Sequence, residues 1–320
     1  MERDVYKHSK TGSYAVSLEQ RLEKRYSEIY NNHQKYFLVP LALLMLAVAV
    51  LGFSYTQNGE FFQKGTDFTG GTEAQFQING SFPTTEIEQA FSDAGKPGAN
   101  AITQQTSEGK NLLVEIPPPD INQSEAEDIL TDAGYQVEVL QFNSISASVS
   151  NQFFLQAQIA FVLAFTVMSL VIFIAFKDIT PSMAVIFAAA GDIIIAGAGM
   201  ALLGIPLTLG SLAALLMLIG YSVDTDIVLS SRTLKREKDS LQSRMWESLK
   251  TGVTMSSGGI AGFTLLYIVS YVIVGPSELS NIAAVMVIGL LADMPLTWLG
   301  NTAILKSYIE GEDLIYRGGA

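Results

Sequence analysis

Carboxylates, hydroxyls and lysine are the side chains left to do chemistry in this chain, which has no cysteine and only two histidines, His8 and His33, both ahead of the first apolar run. That composition removes disulfides, thiol nucleophiles and Cys-ligated metals, and it argues against His-centred metal or triad sites. The carboxylates that stand out lie inside long apolar stretches: Asp192 after Gly191, Asp224 and Asp226 on either side of Thr225, and Asp293 two residues before Pro295. An ionisable group at a bilayer centre costs roughly 2.5–3.5 kcal/mol by insertion scales, so such residues face protein or a wet path. Asp192 falls about 16 Å into its apolar run at 1.5 Å per residue, near the midplane. It is either a carboxyl hydrogen-bonded to a neighbouring helix or a proton or ion site. Asp224 and Asp226 are about 200° apart on a helix, so one turns to a polar path while the other reaches the interface. Pro295 cannot donate its backbone hydrogen bond and leaves a carbonyl free one turn earlier, which makes Asp293 part of a polar kink facing the bundle. Lys250, beside Thr251, Thr254, Ser256 and Ser257, either pairs with Asp224 or Asp226 or snorkels to the membrane surface. There is no HExxH, GxSxG or P-loop pattern, and Gly70-Gly71-Thr72 lacks the continuation a nucleotide loop needs. The expectation is therefore a non-enzyme without cofactor or metal.

The elements that must position these residues are membrane spans. Of 320 residues 49% are apolar and 16% charged, and six stretches approach the 20-residue length that crosses a hydrocarbon core: 36–56, 155–176, 182–203, 207–229, 256–274 and 281–304. About 35 polar residues precede the first, so it reads as an anchor and not as a cleaved signal peptide. Lys and Arg number seven in 1–35 (Arg3, Lys7, Lys10, Arg21, Lys24, Arg25, Lys35) and six in 230–250 (Arg232, Lys235, Arg236, Lys238, Arg244, Lys250), and Lys177 joins the second and third spans. The connections 204–206 and 275–280 have none. Threading six spans in order puts every basic segment on one side, with both termini cytoplasmic and 57–152 outside. The domains expected are a cytoplasmic segment 1–35, a first span 36–56, an extracytoplasmic domain 57–152, a five-helix bundle 153–305 with a loop at 230–250, and a cytoplasmic tail 306–320. A multi-pass protein of the cytoplasmic membrane, with lipid as its surroundings, follows.

Within 57–152 the period changes. Thr72 to Ile78 alternates as a strand with one wet face, and Thr84 to Ala94 reads as a helix capped by Thr84 or Thr85 and stopped at Gly95. Strands at 101–106 and Leu112–Ile116 flank the turn Ser107-Glu108-Gly109. Ser124 to Ala133 is a second helix ending at Gly134, and Tyr135–Phe142 a last strand. The order βαββαβ is that of a ferredoxin-like α+β domain. The segment holds three Lys against fourteen Asp and Glu, in a chain of net charge −12, so nucleic acid is no partner. The acid excess suggests a halophile surface.

After the first span comes Gly65-Thr66-Asp67-Phe68-Thr69-Gly70-Gly71-Thr72. Its glycines suit a tight turn into the first strand, with Asp67 bonding turn amides. The run resembles the G-x-D-F-x-G-G-T signature of the SecD/SecF family of protein-export membrane proteins. A second match runs from Gly191-Asp192-Ile193-Ile194 through Leu203-Gly204-Ile205 and Ala213-Ala214-Leu215 to Ile219-Gly220-Tyr221-Ser222 and Arg232, and is similar to the third and fourth spans of the SecF branch. The resemblance covers most of 36–305. It implies six transmembrane helices forming half of a resistance-nodulation-division (RND) transporter fold. It also implies a SecD partner, the SecY channel, and proton-driven assistance to a translocating polypeptide. Position by position, Thr225 falls where bacterial members carry Asp, Lys250 precedes Thr251 where they carry Arg, and Asp192 matches the Asp of the family's His-Asp pair. These departures resemble archaeal members. The implied site is a protonatable cluster of Asp224 or Asp226 with Lys250 and Asp192. Two other readings fit the same fold: a stand-alone exporter of lipids or small hydrophobic molecules, and a non-transporting stabiliser of a translocon.

Overall fold

The structure is a computed structural model that describes residues 20–78, 82–106, 109–235 and 239–311. His8, the basic residues Arg3, Lys7, Lys10, Arg236 and Lys238, two residues of the turn at 107–109, and the tail 312–320 lie outside the described residues.

Among the described residues, six helices are long and apolar enough to cross a membrane: His33–Asn58, Ala147–Phe176, Ile179–Leu203, Leu209–Leu234, Leu241–Ile273 and Glu278–Glu310. About half of the most apolar stretch is buried in the third, fourth and sixth (50%, 50% and 56%), against 11% in the first, second and fifth, so the former make an inner layer and the latter its flanks. Small residues set that layering, because they let backbones approach where no hydrophobic force acts between helices. A Cβ on Gly289 of the sixth span would stand 2.3 Å from a methyl of Leu218 on the fourth, and one on Gly191 of the third 2.4 Å from a methyl of Leu296.

Hydropathy marks where hydrocarbon begins and not where a helix begins, and three sequence expectations change for that reason. The 230–250 loop is largely helical: the fourth helix runs to Lys235 and the fifth starts at Leu241, capped by the Ser240 hydroxyl accepting from the Ser243 amide. At 33 residues, roughly 50 Å, the fifth helix overshoots a bilayer by several turns. The sixth continues as helix through Thr302–Glu310, into the expected tail. The second starts at Ala147, eight residues before its apolar core. Residues 20–31 are helical as well.

The segment between the first two spans folds as β1 (Gly71–Ile78), α1 (Thr84–Asp93), β2 (Asn100–Thr106), β3 (Gly109–Ile116), α2 (Gln123–Asp132) and β4 (Val137–Ile145). The sheet order is β2-β3-β1-β4 with every neighbouring pair antiparallel. Alternation in β1 sends Ala74, Phe76 and Ile78 inward with Leu112, Val114 and Ile116 of β3, under Ile87 and Phe91 of α1 and Ala126 and Leu130 of α2. α2 is capped by Asn122, whose side chain accepts from the Glu125 amide at 2.9 Å. α1 departs from expectation. Thr84 is its first residue and Pro83 its cap, which makes no side-chain bond. Both helices stop before a glycine at positive φ, Gly95 at 81° and Gly134 at 90°. The opposite sheet face carries Glu73, Gln75, Gln104 and Glu115. Gln75 donates to Gln104 at 2.7 Å, and Gln104 in turn donates to the carbonyl of Pro276, ahead of the sixth span.

Candidate functional site

Asp192, Asp226 and Asp293 are all 0% exposed and meet where the third, fourth and sixth spans pack. A continuous series of polar contacts joins them. The Ser222 hydroxyl donates to Asp192 Oδ2 at 2.5 Å; Thr225 Oγ1 lies 2.7 Å from the Ser222 carbonyl and 3.1 Å from Asp293 Oδ2. Thr297 Oγ1 lies 3.0 Å from Asp293 Oδ1 and 3.0 Å from Asp226 Oδ1, bridging two carboxylates, and Asn301 Nδ2 donates to Asp226 Oδ1 at 2.6 Å. One oxygen of Asp192 (Oδ1) and one of Asp226 (Oδ2) is buried with no hydrogen-bond partner. Native interiors rarely leave such groups unmet, so each asks for an explanation.

The helices place these groups for simple reasons. Ser222, Thr225 and Asp226 occupy positions i, i+3 and i+4 of the fourth helix and share its inward face. The sixth helix is α-helical up to Pro295 and π-helical over Leu296–Asn301. The wider turn follows the proline that interrupts the ladder, and π-turns of this kind recur at functional sites. It sets Thr297 and Asn301 on the Asp226 side. Sequence reasoning singled out neither residue, although Thr297 and Asn301 stand four and eight positions after Asp293, a spacing that signals one helical face.

The other expected members lie elsewhere. Asp224 is exposed on the outer side of the fourth helix, as a 200° separation from Asp226 requires. Of the two readings of Lys250, the ion pair with Asp224 or Asp226 is not found among the described residues. Lys250 Nζ pairs with Glu247 at 2.7 Å on its own helix and lies over the Trp246 ring, because one helical turn separates it from Glu247 while Asp226 faces the sixth span. Arg232 reaches the Thr251 hydroxyl at 2.8 Å. Among the described residues no ion pair involves Asp192, Asp226 or Asp293, and no group of three or more His, Asp or Glu is gathered to hold a metal ion. The Asp192 and Asp293 carboxyls lie against each other, and Thr297 joins Asp293 to Asp226. If ionised, the three would stand in a low-dielectric site without a countercharge among the described residues.

The Gly65–Thr72 run forms one helical turn, Thr66–Thr69, and Asp67 bonds no amide of that turn. Its Oδ2 accepts instead from the Leu209 amide at 2.8 Å, 142 residues on, at the start of the fourth span. This overturns the local-turn expectation. A tight turn leaves Asp67 pointing outward, and the nearest unsatisfied donors belong to another helix end. Phe68 is buried edge-on to Phe154 of the second span at 5.5 Å, and the Thr72 hydroxyl is within 3.3 Å of Ile121. Gly70 and Gly71 have φ of 77° and 116°, and a Cβ on Gly71 would meet the Ile116 carbonyl oxygen at 2.2 Å. Only glycine fits there.

These features define a multi-pass membrane protein whose inner helices carry a chain of buried carboxylates and whose first two spans bracket an α/β domain. The family described as protein export membrane protein SecD/SecF, C-terminal, matches residues 125–311. A SecF of Methanothermobacter thermautotrophicus is 38% identical over 283 residues, covering 88% of this chain and 94% of that protein. A SecF of Haloferax volcanii is 36% identical over 279 residues, covering 87% and 93%. The crystal structure of SecDF, a translocon-associated membrane protein from Thermus thermophilus, superposes with a TM-score of 0.70 at 20% identity, over 88% of this chain and 38% of that one, a likeness of fold. The chain belongs to the SecD/SecF family of protein-export membrane proteins.

Proposed function

We propose that the chain is an accessory subunit of protein export, working beside a SecD partner at the SecY channel on an emerging polypeptide. On this reading it is one half of an RND-type fold. Residues 57–152 form an extracytoplasmic ferredoxin-like domain and both termini are cytoplasmic. The sheet order β2-β3-β1-β4 and the run of Lys and Arg at the opposite ends of the spans support that placement.

The observation that carries the mechanism is the series Asp192, Ser222, Thr225, Asp293, Thr297, Asp226, Asn301, with its two unpartnered carboxylate oxygens and no basic partner among the described residues. A proton entering this series neutralises a buried charge and relieves repulsion between helices. The charge state thus biases two arrangements of the third, fourth and sixth spans, and export is coupled to the proton gradient through that bias. Asp226 is the member held by both elements of the sixth-span π-turn, and Asp224 and Lys250 stand outside the series. The test is secretion in cells whose own copy is removed. Asp192→Asn, Asp226→Asn and Asp293→Asn are each expected to lower it, Asp224→Asn to leave it near normal. Normal secretion with all three replaced would leave the subunit as a passive stabiliser.

A further inference from the structure

The four leading amides of the fourth span all find acceptors, and they divide in an informative way. The first amides of a helix have no partner within it. Two are met locally: Thr208 N donates to the Ser211 hydroxyl at 2.7 Å, and Ser211 N to Thr208 Oγ1 at 3.0 Å. The two between them are met by carboxylates from distant parts of the chain. Leu209 N donates to Asp67 of the signature at 2.8 Å, and Gly210 N to Glu278, the first residue of the sixth span, at 2.9 Å. Glu278 also receives the Thr208 hydroxyl at 2.5 Å. A Cβ on Gly210 would lie 2.1 Å from Glu278 Oε1, so this carboxylate is seated directly on the backbone.

Beside the Asp67 contact the chain makes a short strand-like pairing. Gly65 N donates to the Leu207 carbonyl at 2.8 Å and Leu207 N to the Gln63 carbonyl at 2.7 Å. A Cβ on Gly65 would press to 2.7 Å on the Thr208 methyl. From there to β1 there is no slack: one turn of helix with Phe68 buried on the second span, then Gly70 and Gly71 closed against Ala147 and Ile116.

We propose that Asp67 and Glu278 form a two-sided clasp on the N-terminus of the fourth span, through which that helix carries the α/β domain with it while staying registered to the sixth span. The same helix bears Ser222, Thr225 and Asp226, roughly 25 Å further along at 1.5 Å per residue. Asp67 is thus a positioning residue whose partner is a backbone amide. Its role in passing on the charge state of the membrane carboxylates rests on the proton-coupling reading above, whereas the clasp itself rests on the hydrogen bonds.

The natural absence of cysteine makes the experiment direct. Spin labels on Gln89→Cys of α1 and Leu202→Cys at the end of the third span, both exposed, report the distance between domain and bundle in the full chain reconstituted in liposomes. Asp67→Ala is expected to broaden the distance distribution, with a roughly tenfold gain in the displaced population. At about 1.4 kcal/mol per tenfold, that is the scale of one lost helix cap. Asp67→Asn, which keeps an acceptor oxygen, is expected to restore the narrow distribution. A distribution in Asp67→Ala as narrow as the parent's overturns the clasp. If the Ala variant does not insert, Asp67→Ser, whose shorter side chain falls short of the Leu209 amide, is read the same way, and no broadening overturns it equally. Asp226→Asn, in a second arm, is expected to shift the parent's distance but not that of Asp67→Ala. A shift that survives Asp67→Ala refutes transmission through the clasp. No shift in the parent counts against the proton-coupling reading instead, and the clasp is then judged on broadening alone.

Discussion

Thr297 illustrates what a single hydroxyl does in a membrane interior. It lies 3.0 Å from an oxygen of each of two fully buried carboxylates, so its loss leaves both under-satisfied. Removing one partner of a buried polar group costs about 1–3 kcal/mol. Thr297→Val, nearly isosteric, is therefore expected to lower thermal stability in detergent and to lower secretion towards the level of Asp226→Asn. Thr254→Val, whose hydroxyl meets only its own helix at the Lys250 carbonyl, should do neither. Glu73 supplies a pH prediction outside the membrane. Burial, then the nearby charges of Glu115, Glu278 and Asp67, raise its pKa. A carboxyl with a raised native pKa holds its proton more tightly folded than unfolded, so the stability it contributes is present at low pH and lost as pH rises through the native pKa. Unfolding temperature measured from about pH 4 upward, the ordinary Glu range, should fall more steeply in the parent than in Glu73→Gln. Asp192, Asp226 and Asp293 stand out in sequence as charges inside apolar runs, but the choice between Asp224 and Asp226 stays open there and Asp293 reads as a polar kink apart from the cluster. The pairing of Lys250 was not legible, since which face of a helix a side chain takes depends on where the helix starts, and that start lies nine residues before it at Leu241.

At the scale of elements, the third, fourth and sixth helices are held together by close backbone approach. Gly289→Val would drive a side chain into Leu218, and the fifth helix approaches the sixth as closely, since Gly252→Val would drive one into the Trp298 ring, where a Cβ would already stand at 2.1 Å. Overpacking of this kind costs about 1–3 kcal/mol, so each is expected to lower the unfolding temperature by several degrees. Gly262→Ala, where a Cβ meets nothing within 4 Å, should be neutral or slightly stabilising. Hydropathy revealed all six helices, because hydrocarbon demands about 20 apolar residues whatever the neighbours do. It missed the π-turn after Pro295, the four turns that extend the fifth helix ahead of its apolar core, and the packing of the sixth helix end on the first. There Lys306 is 5% exposed, 3.1 Å from the Tyr30 carbonyl and 3.2 Å from His33 Nδ1. Such contacts join residues more than 270 positions apart and leave no local signature. The strand alternation of β1, in contrast, is local and was readable to within a residue.

At the scale of the molecule, the fold ties an α/β domain to a polar seam inside the membrane. The links are short: the fourth helix from Leu209 to Asp226, the sixth from Glu278 to Asn301, and the signature turn between them and β1. On the proposed reading, a carboxylate series part-way along these helices and a domain docked at the N-terminus of the fourth is the layout expected of a device that converts proton entry into movement of a domain. Sealed membrane vesicles bearing the chain with the proposed SecD partner and SecY channel, given a preloaded secretory polypeptide and an imposed proton gradient, test this claim most directly. The account predicts that export rises with the gradient, returns to its basal rate when an uncoupler is added, and shows only that basal rate at every gradient in Asp226→Asn. A gradient response that persists undiminished in Asp226→Asn, or an export rate in the parent indifferent to the gradient, would contradict it.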